Sequence, residues 1–182
     1  MRLLDRFAFA AIAMTLFGVS SGAFAGTTAP VPAAGVMADI PGAHETPDPR
    51  VDYKVVFDVQ SLAESSDQPA PALKTIGVLL NTYRRYGVPA DHLHFVAVFH
   101  GRTIVLVAND ETYRARTGAP SNPNDEILRQ LSQAGVRLAV CGQSARAQHY
   151  DAASLQPLVQ MNLSATVTFI DLQTGGYVRF EE

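Results

Sequence analysis

Cys141 is the only cysteine among the 182 residues of the chain. It ends the apolar run that begins at Val136, and Gly142, Gln143 and Ser144 follow it directly. An apolar run, then glycine, then polar residues reads as a strand passing into a helix. A thiol at such a turn lies at the C-terminal edge of a sheet, beside backbone N–H groups that favour thiolate over thiol. Open α/β sheets gather their ligands on that same edge. Gly142 permits a tight turn and a close backbone approach. The amides and side chains of Gln143 and Ser144 would then stabilise an anion on sulfur. The competing reading is a small buried hydrophobe ending a core strand, a common fate of a free cysteine. Position alone does not separate the two.

Further candidates follow from where they fall along the chain. His100-Gly101 ends the run Leu93–Phe99, which places His100 on the same sheet edge as Cys141. If the two strands are neighbours, His100 is a proton acceptor for the thiol; otherwise it is a polar residue entering a loop. Asn109, Tyr113, Asn122 and Asn124 crowd one loop region, Ala108–Asn124, and loops on that edge often carry function. A substrate-binding role is expected for Asn109, Tyr113 and Asn124, whereas Asn122 has a sufficient role as a helix cap. His92 and His94 share one face of an extended strand, but a metal site lacks its remaining ligands. No metal is therefore expected. The sequence contains no Gly-x-Gly-x-x-Gly after the first strand, no phosphate loop, no Cys-x-x-Cys and no His-Glu-x-x-His. Nucleotide cofactors and dithiol chemistry are disfavoured accordingly, and no cofactor is expected.

Strand and helix signals alternate around these residues. Tyr53–Val59 is rich in β-branched and aromatic residues and reads as a strand. Pro71 opens a helix whose apolar face is Leu73, Ile76, Leu80 and Tyr83, and Gly87 with Pro89 closes it. Leu93–Phe99 is the near-continuous apolar run of a strand buried on both faces. Thr103–Val107 is either a short strand or one helical turn. Asn122-Pro123 begins a helix with Asp125 and Glu126 in its first turn, where the dipole favours anions, and Gly135 ends it. Val136–Cys141 is the next strand. Gln143–Tyr150 and Asp151–Gln156 read as two short helices. Ala165–Ile170 reads as a strand, and Gly175-Gly176 turns into a last one, Tyr177–Phe180. The expected fold is a single α/β domain, a mostly parallel sheet of about five strands with helices on both faces.

Residues 1–25 have the form of a secretory signal peptide, with Arg2 and Arg6 ahead of the apolar stretch Phe7–Val19 and the small-x-small sequence Ala23-Phe24-Ala25. Cleavage is expected after Ala25, and an uncleaved anchor is the alternative. The protein is thus expected in the periplasm or outside the cell, without membrane insertion once the signal is removed. Residues 26–50 hold five of the chain's 11 prolines and no apolar periodicity. They read as a flexible tether to a domain spanning residues 51–182. With 14 basic and 17 acidic residues, the chain has no electrostatic footprint for nucleic acid. One cysteine in an oxidising compartment cannot form an internal disulfide, so the thiol is buried, paired with another molecule, or functional.

In order, Tyr53-Lys54-Val55-Val56-Phe57, His100-Gly101, Asn109-Asp110 with Tyr113-Arg114, Asn122-Pro123-Asn124, Gly135-Val136, Cys141-Gly142-Gln143-Ser144, Leu155-Gln156-Pro157 and Gly176-Tyr177 resemble the DsrE/DsrF-like family. The resemblance spans about Tyr53 to Glu182. It implies a compact α/β sandwich, assembly into homo-oligomers, and sulfur trafficking with sulfur held as a persulfide on a cysteine. Cys141 is the matching position. The expectation is an exported sulfur-handling protein whose partners are small sulfur species or a sulfur donor or acceptor protein. Gly142, Gln143 and Ser144 would shape its anion site, and His100 would move protons. The alternative is a non-catalytic binding module in which Cys141 is packing. A thiol-dependent hydrolase or redox sensor is a third reading and requires His100 beside Cys141. Whether the chain is an enzyme is left open by its residues.

Overall fold

The computed structural model describes residues 30–182. The expected signal segment and cleavage site lie outside the described residues. Five parallel strands form one sheet in the order β4-β3-β2-β1-β5: β1 Tyr53–Val59, β2 Leu93–Phe99, β3 Arg137–Cys141, β4 Val159–Asn162 and β5 Val178–Glu181. The helices are α1 Pro71–Arg85, α2 Asp110–Thr117, α3 Asp125–Gln133, α4 Gly142–Ala147 and α5 Ala165–Thr174. Among the described residues, no helix is long and apolar enough to cross a membrane.

Topology dictates where the helices go. From β1 to β4 the chain steps one strand at a time in one direction. Right-handed crossovers then keep the intervening helices on one face. The step from β4 to β5 runs back across the whole sheet, so the same handedness sends α5 over the opposite face. That step spans about four strand spacings, roughly 19 Å. The 10 residues of α5 cover about 15 Å of it.

The two faces differ in depth. On the first face Phe57, Phe95, Phe99, Leu138 and Val140 pack against Leu73, Ile76 and Leu80 of α1 and Ile127, Leu128 and Leu131 of α3. On the second face a smaller cluster joins Val56, Val96, Val98 and Cys141 to Ala165 and Phe169 of α5. Pro71 stands in the first turn of α1, where its missing N–H is no loss, and Gly87 leaves the helix end at φ +86°.

The expected strand at Ala165–Ile170 is instead α5, and the fourth strand is Val159–Asn162. The β-branched run Thr166-Val167-Thr168 suggested a strand. Tertiary context overrides that weak preference. The Ser164 hydroxyl caps the helix by accepting from the Val167 amide at 3.1 Å. Ala165, Thr168 and Phe169 then fall on one buried face at helical spacing. Thr103–Val107 lies within a 3₁₀ turn, Gly101–Val107. Gln143–Tyr150 is helical only as far as Ala147, and Asp151–Gln156 contains a single 3₁₀ turn, Ala152–Ser154. Asn122 precedes α3, with Asn124 at the cap position. Its own side chain donates to the carbonyls of Leu106 and Ala108 and accepts from the Asn124 amide.

The described part of the expected tether, from Pro30 on, has no regular secondary structure but rests on α1. Val31 is fully buried, and its backbone N–H and C=O pair with the Asn81 side chain at 2.9 and 2.8 Å. The Met37 amide donates to Thr82 Oγ1, and Arg85 pairs with Asp39. Gly77 makes the approach possible, since a Cβ there would stand 2.4 Å from that of Ala34. Burying Val31 stabilises this docking by about 1.5–3 kcal/mol.

Candidate functional site

Cys141 is the last residue of β3 and the residue that caps α4. The chain leaves β3 toward the first face through α4, whose Ala145 joins the larger core. It leaves β4 toward the second face through α5. A crevice opens where neighbouring strands send their chains to opposite faces, and such switch points are the usual ligand sites of open α/β sheets. Cys141 and Asn162, the terminal residues of β3 and β4, are register partners there. Gly142 is required by the close approach: a Cβ would lie 2.6 Å from the Asn162 carbonyl oxygen. Gln143 is exposed, and its amide nitrogen donates to the Leu163 carbonyl at 3.3 Å, tying α4 to the end of β4.

Cys141 is only 5% exposed. Its sulfur accepts from the Ser144 amide at 3.4 Å. Burial pushes the thiol up, but hydrogen bonds from the Ser144 hydroxyl and from the amides of Ser144, Ala165 and Gln143 outweigh it and bring the pKa below the usual thiol value. These donors come from the first turns of both α4 and α5. The surroundings therefore favour the thiolate, with the Ser144 amide hydrogen-bonded to the sulfur.

His100 follows β2. The pair Phe99↔Val140 places the next residues, His100 and Cys141, at the same level on adjacent strands. The His100 ring meets Phe169 of α5 edge-on at 6.2 Å, and Phe169 belongs to the cluster that includes Cys141. Both residues therefore face α5. Among the described residues the hydrogen bonds to the thiol come from α4 and α5, not from His100. The His100 ring is engaged on its other side, where Nε2 donates to Asp58 Oδ1 at 2.6 Å. The Asp58 side chain is fully buried and also accepts from Gln60 Nε2 at 3.0 Å, from Arg179 Nε at 3.1 Å and from Arg179 Nη2. Burial pushes the Asp58 carboxyl up, and the bonds from His100, Arg179 and Gln60 more than offset it, leaving it below the usual carboxylate range. The Arg179 guanidinium stacks over Phe169 at 4.4 Å. Asn162 Nδ2 donates to Thr168 of α5 at 2.9 Å. A row of polar side chains thus crosses the α5 face of the sheet: Asn162 of β4, Cys141 of β3, His100 just past β2, Asp58 of β1 and Arg179 of β5.

Asp58, Arg179 and Asn162 were not among the sequence candidates. The signal for Asp58 is a lone carboxylate inside Val55-Val56-Phe57-Asp58-Val59, where alternation puts it on the buried side with Val56. The other three candidates serve loops. Asn109 accepts from the Thr112 amide and donates to the Ala153 carbonyl at 2.6 Å. Tyr113 is buried and donates to the Ser66 carbonyl at 2.8 Å. Asn124, fully buried, accepts from the Ala70 amide at 2.8 Å. His92 and His94 stand at the entrance of β2, within 3.9 and 3.8 Å of Asp52. Among the described residues no group of side chains is disposed to hold a metal.

A protein of unknown function from Methanobacterium thermoautotrophicum has a solved structure similar to this one, with a TM-score of 0.50 and 20% identity, covering 72% of this chain and all of that one. At that identity the likeness speaks for the fold. No curated protein matches the chain. The DsrE/DsrF-like family matches residues 54–180, from the second residue of β1 into β5. The chain belongs to the DsrE/DsrF-like family.

Proposed function

We propose that the protein is an exported sulfur carrier that holds sulfane sulfur as a persulfide on Cys141. The observation that carries this reading is the Cys141 sulfur at the β3–α4 turn, which accepts from the Ser144 amide and has its pKa lowered despite burial. A thiolate is the form that attacks a sulfane sulfur, and the same surroundings suit the anion of a persulfide. Family membership, linked to sulfur relay, agrees with it. Export is supported by the pattern of residues 1–25. Homo-oligomeric assembly is supported by exposed apolar side chains at the end of β4 and in the first turn of α5, Leu163 at 70% together with Met161 and Val167. These residues adjoin β4, which among the described residues is an edge strand with an unpaired side.

The test is to incubate the protein with polysulfide and read its intact mass. The reading expects a gain of whole sulfur atoms, reversed by dithiothreitol and abolished in Cys141→Ala. Identical behaviour of Cys141→Ala overturns it. The near-complete burial of Cys141 favours a second reading, a binding module with a structural cysteine. Partners for that module are small ligands or proteins at the same edge, and its mark is an unmodified mass after polysulfide.

A further inference from the structure

The carrier reading makes no use of β5, the edge strand at the opposite end of the sheet from β4. Among the described residues β5 pairs only with β1, so its outward N–H and C=O groups meet no strand. All four of its residues, Val178 to Glu181, are exposed. An unpaired edge is a template for another strand, and here neither a proline nor a bulge interrupts it. Two sets of side chains alternate along it. Val178 and Phe180 are the register partners of Val55 and Phe57, which puts them on the first face. Phe180 meets Phe57 edge-on at 6.1 Å yet is 46% exposed, and Val178 is 66% exposed. With Tyr53, Phe57, Leu79 and Tyr83 they line an apolar groove between α1 and the strand. Arg179 and Glu181, the register partners of Val56 and Asp58, lie on the second face. Asp58 holds the Arg179 guanidinium through Nε and Nη2, and Nη1 has no partner among the described residues. The Glu181 side chain is 65% exposed.

We propose that β5 pairs antiparallel with β5 of a second copy of this chain, about a two-fold axis through Phe180. The inference rests on the reading of the protein as a homo-oligomer and names a surface apart from β4. A two-fold axis normal to the sheet keeps the first faces of both copies on the same side. Residues directly opposite each other in an antiparallel pair share a face. The axis must therefore pass through a residue rather than between two.

Charge then selects among the registers. An axis at Arg179 sets two guanidiniums opposite each other, and an axis at Glu181 sets two carboxylates; like charges in those positions are destabilising. An axis at Val178 gives neither Arg179 nor Glu181 an opposite charge to face. An axis at Phe180 sets Arg179 opposite the partner's Glu181, and symmetry makes the same pair a second time. It also brings the two Phe180 rings together at the centre. The grooves of the two copies adjoin across the axis, and the exposed Val178 and Phe180 side chains gain cover.

The experiment introduces one cysteine at a time into the full chain carrying Cys141→Ala, oxidises it, and reads covalent dimer on a non-reducing gel. Opposed residues of an antiparallel pair stand about 4.5–5.5 Å apart at Cα, inside the span of a disulfide, about 4.4–6.8 Å. Phe180→Cys should therefore cross-link. Val178 stands opposite the partner's Glu182, so its two copies are about 14 Å apart, and Val178→Cys should not. Adding Glu181→Arg to Phe180→Cys should slow the cross-link about tenfold, since two attractive cross-strand pairs become repulsive. Sedimentation equilibrium of the unmutated protein is run alongside. No dimer from Phe180→Cys, an equal yield from Val178→Cys, or a rate untouched by Glu181→Arg overturns the inference, and self-association of the unmutated protein then leaves the homo-oligomeric reading standing. A protein monomeric at every concentration and without the cross-link overturns both. Should Phe180→Cys fail to fold, Glu181→Arg in the otherwise unmutated chain decides: a tenfold loss of self-association supports the pairing, and no loss overturns it.

Discussion

The two faces of the sheet are built to different ends. The first is covered by α1 and α3 over a dry core of Phe, Leu, Ile and Val. Among the described residues the second is covered by α5 alone, and the polar side chains beneath it are Asn162, Cys141, His100, Asp58 and Arg179. The same five strands thus supply apolar side chains to one side and chemistry to the other, because successive residues of a strand point to opposite faces. A deep first face carries the stability that lets the second bury a carboxylate and a thiol. The faces meet at the crevice between β3 and β4, where one residue, Cys141, belongs to the smaller core and caps a helix of the larger one.

The largest expected effect comes from emptying the deep face. Phe57 is fully buried, and Phe57→Ala should destabilise by about 3–5 kcal/mol in urea unfolding. The native alkylation rate of Cys141 should hardly change. The matching cut on the other face, Phe169→Ala, should cost less and should speed alkylation. Equal costs and equal rates would erase the distinction between the faces. Gly142→Ala comes next, at about 1–3 kcal/mol, because its methyl would push on the Asn162 carbonyl and spread β3 from β4. A slower Cys141 at neutral pH should accompany it, as the amides move off the sulfur. A stable Gly142→Ala protein with unchanged alkylation would show that the close approach has no part in the site.

The third prediction concerns acid. Asp58 has a folded pKa below its ordinary value, so its bonds stabilise the protein above the carboxylate range. That contribution should fade as the pH falls below the ordinary value of 3.8 toward the folded one. Asp58→Asn should therefore lower stability at pH 7 and narrow the difference from the unmutated protein at pH 3, as read by thermal unfolding. A constant difference would mean the charge is irrelevant. Smallest of all is Gln143→Ala. The side chain is exposed, so stability should move by less than about 0.5 kcal/mol. Alkylation of Cys141 should rise a few-fold, since the link to Leu163 is gone.

Much of this was legible in the chain itself. Cys141-Gly142 at the end of an apolar run marked the sheet edge, and the position of His100 followed from the same logic on β2. The α1 helix was visible in its spacing and in Pro71 and Gly87. What local pattern did not reveal was governed by long-range context. The Thr166-Val167-Thr168 run favours a strand locally, and only the Ser164 cap and the burial of Ala165 and Phe169 under the sheet make it α5. The Pro-rich segment before Val51 lacks periodicity, yet Asn81 across α1 gives Val31 its two hydrogen bonds. Asp58 and Arg179 lie 121 positions apart in sequence, so no local pattern reveals the pair.

The central claim is that the fold lowers the pKa of the Cys141 thiol, and the pH dependence of its alkylation tests this most directly. The rate should be measured from pH 5 to 10 in the native protein and again in urea. The account predicts a native inflection below that of the unfolded chain, whose thiol should titrate at about 8.5. A native inflection at or above the unfolded one would show that burial outweighs the amides of Gln143, Ser144 and Ala165, and would contradict the account.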